Sequence, residues 1–136
     1  ETVYVQGGNF KKAGGASMEI LETMIYVGEG GELNFTGGSG DLIWTAPTAG
    51  PFEDLAFWSD SAETHKFAGS ANLQMEGVFF APYADVTYRG NGSNQAVKAQ
   101  FISNTLSLSG NGALDLAPEF DRMVLISSES TSQVIR

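Results

Sequence analysis

Apolar and polar residues alternate in short runs along most of the chain, and the runs recur. Asp85-Val86-Thr87-Tyr88 and Thr105-Leu106-Ser107-Leu108 place every second, apolar side chain on one face, as a half-buried strand requires. Lys66-Phe67-Ala68-Gly69-Ser70, Thr87-Tyr88-Arg89-Gly90-Asn91 and Ser107-Leu108-Ser109-Gly110-Asn111 each set a large apolar residue two positions before a glycine. Each follows an apolar segment: Leu55-Ala56-Phe57-Trp58, Gly77-Val78-Phe79-Phe80 and Ala99-Gln100-Phe101-Ile102. The pattern extends back through Asn34-Phe35-Thr36-Gly37 and, more loosely, to Gly14. With Gly14, Gly37, Gly69, Gly90 and Gly110 as structural turn markers, the steps are 23, 32, 21 and 20 residues. Fixed-period self-similarity of this length marks stacked repeat units.

Each unit reads as short strands separated by turns, with Gly and Asn supplying positive φ at tight corners. The expected fold is all-β: a single-stranded, right-handed parallel β-helix, or β-solenoid, of about five turns. At the strand-pairing distance of about 4.8 Å, such a column is roughly 24 Å long. The competing architecture is an antiparallel β-sandwich, which also uses short strands with frequent turns. The long step contains Thr45-Ala46-Pro47-Thr48-Ala49-Gly50-Pro51, whose prolines interrupt any ladder, so an inserted loop is predicted near 45–52. The segment 16–25 carries good helix formers and apolar residues at Ile20, Leu21, Met24 and Ile25, but it is read as strand–corner–strand. The domain is expected to cover 1–126, followed by a Ser-rich tail or linker over 127–136.

Length and charge narrow the partners. The chain has 136 residues, enough for one domain. Its net charge of −9 repels phosphate backbones and anionic lipid surfaces, so neither nucleic acid nor membrane-surface binding is expected. No apolar run approaches the roughly 18 residues needed to span a bilayer, so no membrane insertion is expected in this segment. With Cys 0, disulfide frameworks, Cys-based zinc sites and thiol nucleophiles are excluded. The first residue is Glu1, which reads as a processed chain, a cloned domain or part of something larger.

Catalytic constellations are not legible. His65 is the only histidine, so a triad would depend on it; it is expected to be exposed or half-buried. No Gly-x-Ser-x-Gly elbow occurs; Gly37-Gly38-Ser39-Gly40 reads as a turn. Gly90-Asn91-Gly92-Ser93-Asn94 lacks the spacing of a phosphate loop and reads as a corner. No cofactor is expected, and calcium is the one metal left open because it needs only oxygen ligands. The nearest acids are Glu53, Asp54, Asp60 and Glu63, without a calcium-loop motif. Polysaccharide-degrading enzymes also use solenoids, but no acid recurs at one register here; Asp60, Pro82 and Asn104 hold equivalent places. No catalytic or metal-ligating residue is therefore assigned.

Aromatic residues are the remaining clue. Phe57 and Trp58 cannot both point inward, nor can Phe79 and Phe80. Trp44, Trp58, Tyr83 and Tyr88 are the candidate contacts for a ligand or another subunit. Outward Trp58 and Tyr83 would suit a carbohydrate-binding, adhesin-like module.

The run from Gly77 to Gly92, Gly-Val-Phe-Phe-Ala-Pro-Tyr-Ala-Asp-Val-Thr-Tyr-Arg-Gly-Asn-Gly, resembles a phrase of bacterial surface and Tad-pilus-associated (TadG-like) proteins. Residues 99–112 resemble the next repeat in those proteins, and the similarity covers about 55–118. The resemblance implies an extracellular β-solenoid on a cell surface or pilus-type appendage, without assigned catalysis, acting as a structural or adhesive module. A solenoid leaves unpaired backbone groups at its ends, so one end is expected to join an adjacent domain or another subunit.

Overall fold

The computed structural model describes residues 1–36, 40–69, 73–90, 95–110, 114–117 and 119–124. The tail over 127–136, Gly37 and the Asn91-Gly92 corner lie outside them. Among the described residues eleven strands follow in order: β1 (Thr2–Val5), β2 (Gly8–Lys11), β3 (Met18–Ile20), β4 (Met24–Val27), β5 (Gly31–Phe35), β6 (Leu42–Thr45), β7 (Leu55–Ser59), β8 (His65–Gly69), β9 (Leu73–Gly90), β10 (Gln95–Ser109) and β11 (Leu114–Leu116). A 3₁₀ turn covers Phe120–Arg122. Segment 16–25 is strand–corner–strand, with Glu22 at φ 48° in the corner.

Every strand pair is parallel, which excludes the sandwich and establishes the β-solenoid. The first face stacks β1, β4, β7, β9 and β10. The second stacks β2, β5, β8 and the later parts of β9 and β10. The third stacks β3, β6, the start of β9, the start of β10, and β11. β9 and β10 are long because each runs through corners while staying extended. The described residues thus make five rungs joined by four rung-to-rung steps, about four turns of helix.

The predicted repeat is the register of the second face. Lys11 pairs Asn34, Asn34 pairs Lys66, Lys66 pairs Thr87 and Thr87 pairs Ser107, steps of 23, 32, 21 and 20 residues. Gly69 and Gly90 close β8 and β9 and pair with each other, so they mark the exit of that face rather than a free turn. Gly14 and Gly110 adopt φ 77° and 122°, where an L side chain is strained.

Strand alternation fills the interior. On the second face Leu33, His65 and Val86 point in, as do Phe35, Phe67 and Tyr88 one step along. The first face supplies Ile25, Phe57 and Phe79, and the third Leu42, Trp44, Leu73 and Met75. The rings meet mainly edge to face: Trp44 lies 5.0 Å from Phe79 and 5.7 Å from Phe57, centroid to centroid. Such contacts add to the burial of area itself.

The predicted insertion is the corner 46–54 between β6 and β7, where the preceding turn uses only 21–23. Asp54 N donates to Pro47 O (2.8 Å), Glu53 N to Gly50 O (3.2 Å) and Val78 N to Asp54 O (2.8 Å). The last bond ties the end of the loop to the next rung at β9. Gly77 makes this approach feasible. At its φ of 110°, a Cβ would meet Ala46 Cβ at 2.5 Å and Asp54 O at 2.8 Å. Gly77→Ala is therefore expected to cost roughly 2–4 kcal/mol through strain and overpacking. Urea unfolding followed by circular dichroism measures it; an unchanged midpoint would show that the loop yields freely.

Candidate interaction surface

The outward residues of the first face form one register line: Tyr4, Tyr26, Trp58, Phe80 and Ile102. The parity is the predicted one, since Phe57 and Phe79 are buried while Trp58 is 36% exposed and Phe80 half-buried. Tyr4 and Tyr26 are 6.0 Å apart at 58°, Tyr26 and Trp58 5.9 Å apart at 89°. The first pair is thus tilted and the second edge to face, so the rings do not lie flush in one plane. Tyr26 Oη donates to Asp60 Oδ2 (2.7 Å), and this bond, with the nearby carboxylate charge, holds the phenol pKa above its usual value.

Of the four predicted contact residues, two are corrected. Trp44 is fully buried, and its indole N–H donates to Thr23 O at 3.1 Å. It shares the parity of Leu42, which aims it at the interior. Tyr88 is also buried, sharing the parity of Val86, and burial pushes its pKa up to about 12. Trp58 and Tyr83 are exposed, but they are not on one line: Trp58 pairs Phe80, and Tyr83 falls in the next corner, 64% exposed.

His65 is the third correction, for it is fully buried. It faces inward with Phe67, and its ring lies 5.0 Å from Phe57, edge to face. Leu33 N donates to Nδ1 (3.0 Å), so Nδ1 carries no proton. Nε2 therefore carries it and donates to Ser59 Oγ (2.8 Å). This is a Ser–His pair with the proton on the wrong nitrogen for activating the serine: a general base needs Nε2 free to accept. Ser59 is itself fully buried and accepts from Ser61 N (3.1 Å), so the pair braces the corner after β7. This partnership forms across a corner and leaves no motif in the residues around it.

The carboxylates are spread over separate contacts. Asp54 pairs Arg122 Nε (2.5 Å), Asp60 holds Tyr26, and Asp85 accepts from Asn104 Nδ2 (3.1 Å) and Thr105 Oγ1 (2.7 Å). Glu119 pairs Lys98 (3.1 Å), and this contact chiefly keeps its pKa below the usual carboxylate value. Among the described residues no three acids or histidines gather as a metal site, and no helix is long and apolar enough to cross a membrane. Gln100 pairs with both backbone groups of Val124, at 2.8 and 3.0 Å, which lays the segment after the 3₁₀ turn against the side of the column.

The first rung presents a different surface. Among the described strands, β1, β2 and β3 each have a neighbour on one side only. Their inner side chains line an open cavity of about 380 Å³, with Val3, Phe10, Ile20 and Ile25 joined by Glu1 and Glu19. Val3 is 40% exposed although its register mates Ile25 and Phe57 are buried. Among the described residues the interior is thus reached from this rung. Comparison with family models, with curated proteins and with solved structures gives no match to this chain.

Proposed function

We propose that this chain is a non-catalytic structural and interaction module, carried outside the cell on a bacterial surface or pilus-type appendage. The observation that carries the reading is the first rung, where β1, β2 and β3 each have one neighbour among the described strands and Val3, Phe10 and Ile20 line a mouth between them. Strand edges of this kind pair with further chain unless they are blunted. The similarity of residues 55–118 to Tad-pilus-associated proteins supports the surface setting, and the misplaced proton of the Ser59–His65 pair supports a role without chemistry. Two experiments test it. A membrane-impermeant reagent should tag the protein on intact producing cells, and incubation with polysaccharides should release no reducing ends. Tagging only after lysis, or sugar release, would overturn the reading.

A second reading, a carbohydrate-binding module, is favoured by the outward line Tyr4–Tyr26–Trp58 with Asp60 beside it. Trp58 reports on it cleanly, because the other tryptophan, Trp44, is fully buried. Acrylamide should quench the Trp58 component alone, and Trp58→Phe should abolish that quenching. A glycan that binds the ladder should protect Trp58; unaltered quenching across a glycan panel would remove this reading.

A further inference from the structure

We infer that Tyr26, Trp58 and Asp60 form a site for a small organic cation of the quaternary ammonium class, on the outer side of the first face. The inference rests on the outward line being a binding surface, the premise of the second reading above, and gives that surface a different ligand. The site stands on inner rungs. β4 has β1 and β7 on its two sides, and β7 has β4 and β9, so the column itself sets the surroundings of both rings.

Ring geometry selects the shape of the ligand. Tyr26 and Trp58 are register partners, with centroids 5.9 Å apart and planes at 89°. One flat sugar ring cannot stack on both planes at once. Two ring faces at right angles make a corner instead, and a compact cation in that corner meets negative π density from two sides. Tyr4, 6.0 Å from Tyr26 and tilted by 58°, extends the wall on one side. Phe80, next to Trp58 in the register, extends it on the other.

Charge selects the sign. Tyr26 Oη donates to Asp60 Oδ2 at 2.7 Å, which holds the carboxylate beside the ring, and Oδ1 has no partner among the described residues. Residues 22–29 and 55–63 carry the two strands with their adjoining corners. They hold Glu22, Glu29, Asp60 and Glu63 and no Lys or Arg. Lys11, Lys66 and Arg89 stand on the second face, in other register lines. Hydration then selects the class. A metal ion needs several oxygens, and this corner offers one carboxylate. A primary ammonium is strongly hydrated and gives up its water at a cost. A quaternary ammonium has no N–H to hydrate and spreads its charge over alkyl groups, so two ring faces and one carboxylate suit it.

Choline is the probe, and its control is the uncharged isostere in which carbon replaces the quaternary nitrogen. Acrylamide quenching reads Trp58, since Trp44 is fully buried. Saturating choline should remove most of the Trp58 quenching, while the isostere and sodium chloride at equal concentration should leave it. Asp60→Asn removes the charge and keeps an oxygen for Tyr26 Oη; Tyr26→Leu removes one ring face. Each should weaken choline by about two- to fivefold, the worth of one exposed pair. Asp60→Asn, at an exposed position, reads the site even where Tyr26→Leu fails to fold. Given choline protection, co-sedimentation with phosphatidylcholine vesicles separates the sources. Pelleting makes the cation a lipid headgroup, and no pelleting makes it a soluble ion. Equal protection by the isostere, no protection by choline, or unaltered choline affinity in Asp60→Asn would overturn the site. Glycan protection of Trp58 without choline protection would overturn this inference and keep the second reading; choline protection without glycan protection would do the reverse.

Discussion

Replacing Trp44 by Ala is expected to destabilise the column by about 3–5 kcal/mol, the range for deleting a large buried aromatic. Trp44 sits on the second rung with Phe35, Phe57, Phe67 and Phe79 around it at 5.0–6.1 Å. Removing the indole takes an edge-to-face partner from each ring at once, and its neighbours lie on successive rungs, so no single strand can move in to fill the gap. It also strands Thr23 O, which loses its indole donor. Trp44→Phe separates the two effects. It keeps most of the apolar volume and should cost about 1–3 kcal/mol, mostly for the unpaired carbonyl. Urea unfolding read by circular dichroism should show lower midpoints in that order at unchanged slope. A Trp44→Ala midpoint within error of the unmodified chain would mean that this ring is not the keystone of the interior.

The second large effect is a loss of stability in mild acid, caused by His65. Burial lowers its pKa from 6.5 to about 4, because the charged ring would be stripped of water and Leu33 N already occupies the nitrogen that must gain the proton. The folded value lies below the unfolded one, so between pH 6.5 and 4 the unfolded chain binds more protons. The stabilising contribution is complete above about pH 6.5 and is lost as pH falls through that window. The loss comes to about 2 kcal/mol at pH 5 and about 3 kcal/mol at pH 4. His65→Asn keeps a side-chain oxygen to accept from Leu33 N but has no titrating group. Its stability, although lower at neutral pH, should stay level from pH 7.5 to 5. Parallel declines in both proteins would place the acid sensitivity elsewhere.

The fold was legible because a solenoid writes its repeat into the spacing of strand exits. The glycine markers and the register of the second face share the same four steps, since each glycine stands at the same sequence distance from a residue in that register. Parity was legible too. Phe57 and Trp58 divide between interior and surface as alternation demands. Parity alone, however, does not say which side is the interior. For Trp44 and His65 the decisive signal was their apolar mates two residues away, Leu42 and Phe67; large aromatic or polar character suggested a surface role and misled. The Ser59–His65 bond closes the corner between β7 and β8, and the mouth at the first rung arises from the stacking of rungs that are distant in sequence. No local pattern carries either.

The sheet keeps no record of how long its corners are. Ile25 and Phe57 lie side by side although 32 residues apart, while Phe57 and Phe79 do so at 22. Most of that difference sits at the corner 46–54, and the register on either side passes it with a single irregularity at Leu55/Phe57. Inserted or deleted residues at a corner therefore change the outline of the column without shifting any strand onto a wrong partner. A corner can therefore carry decoration of any length while the stacked interior stays in register.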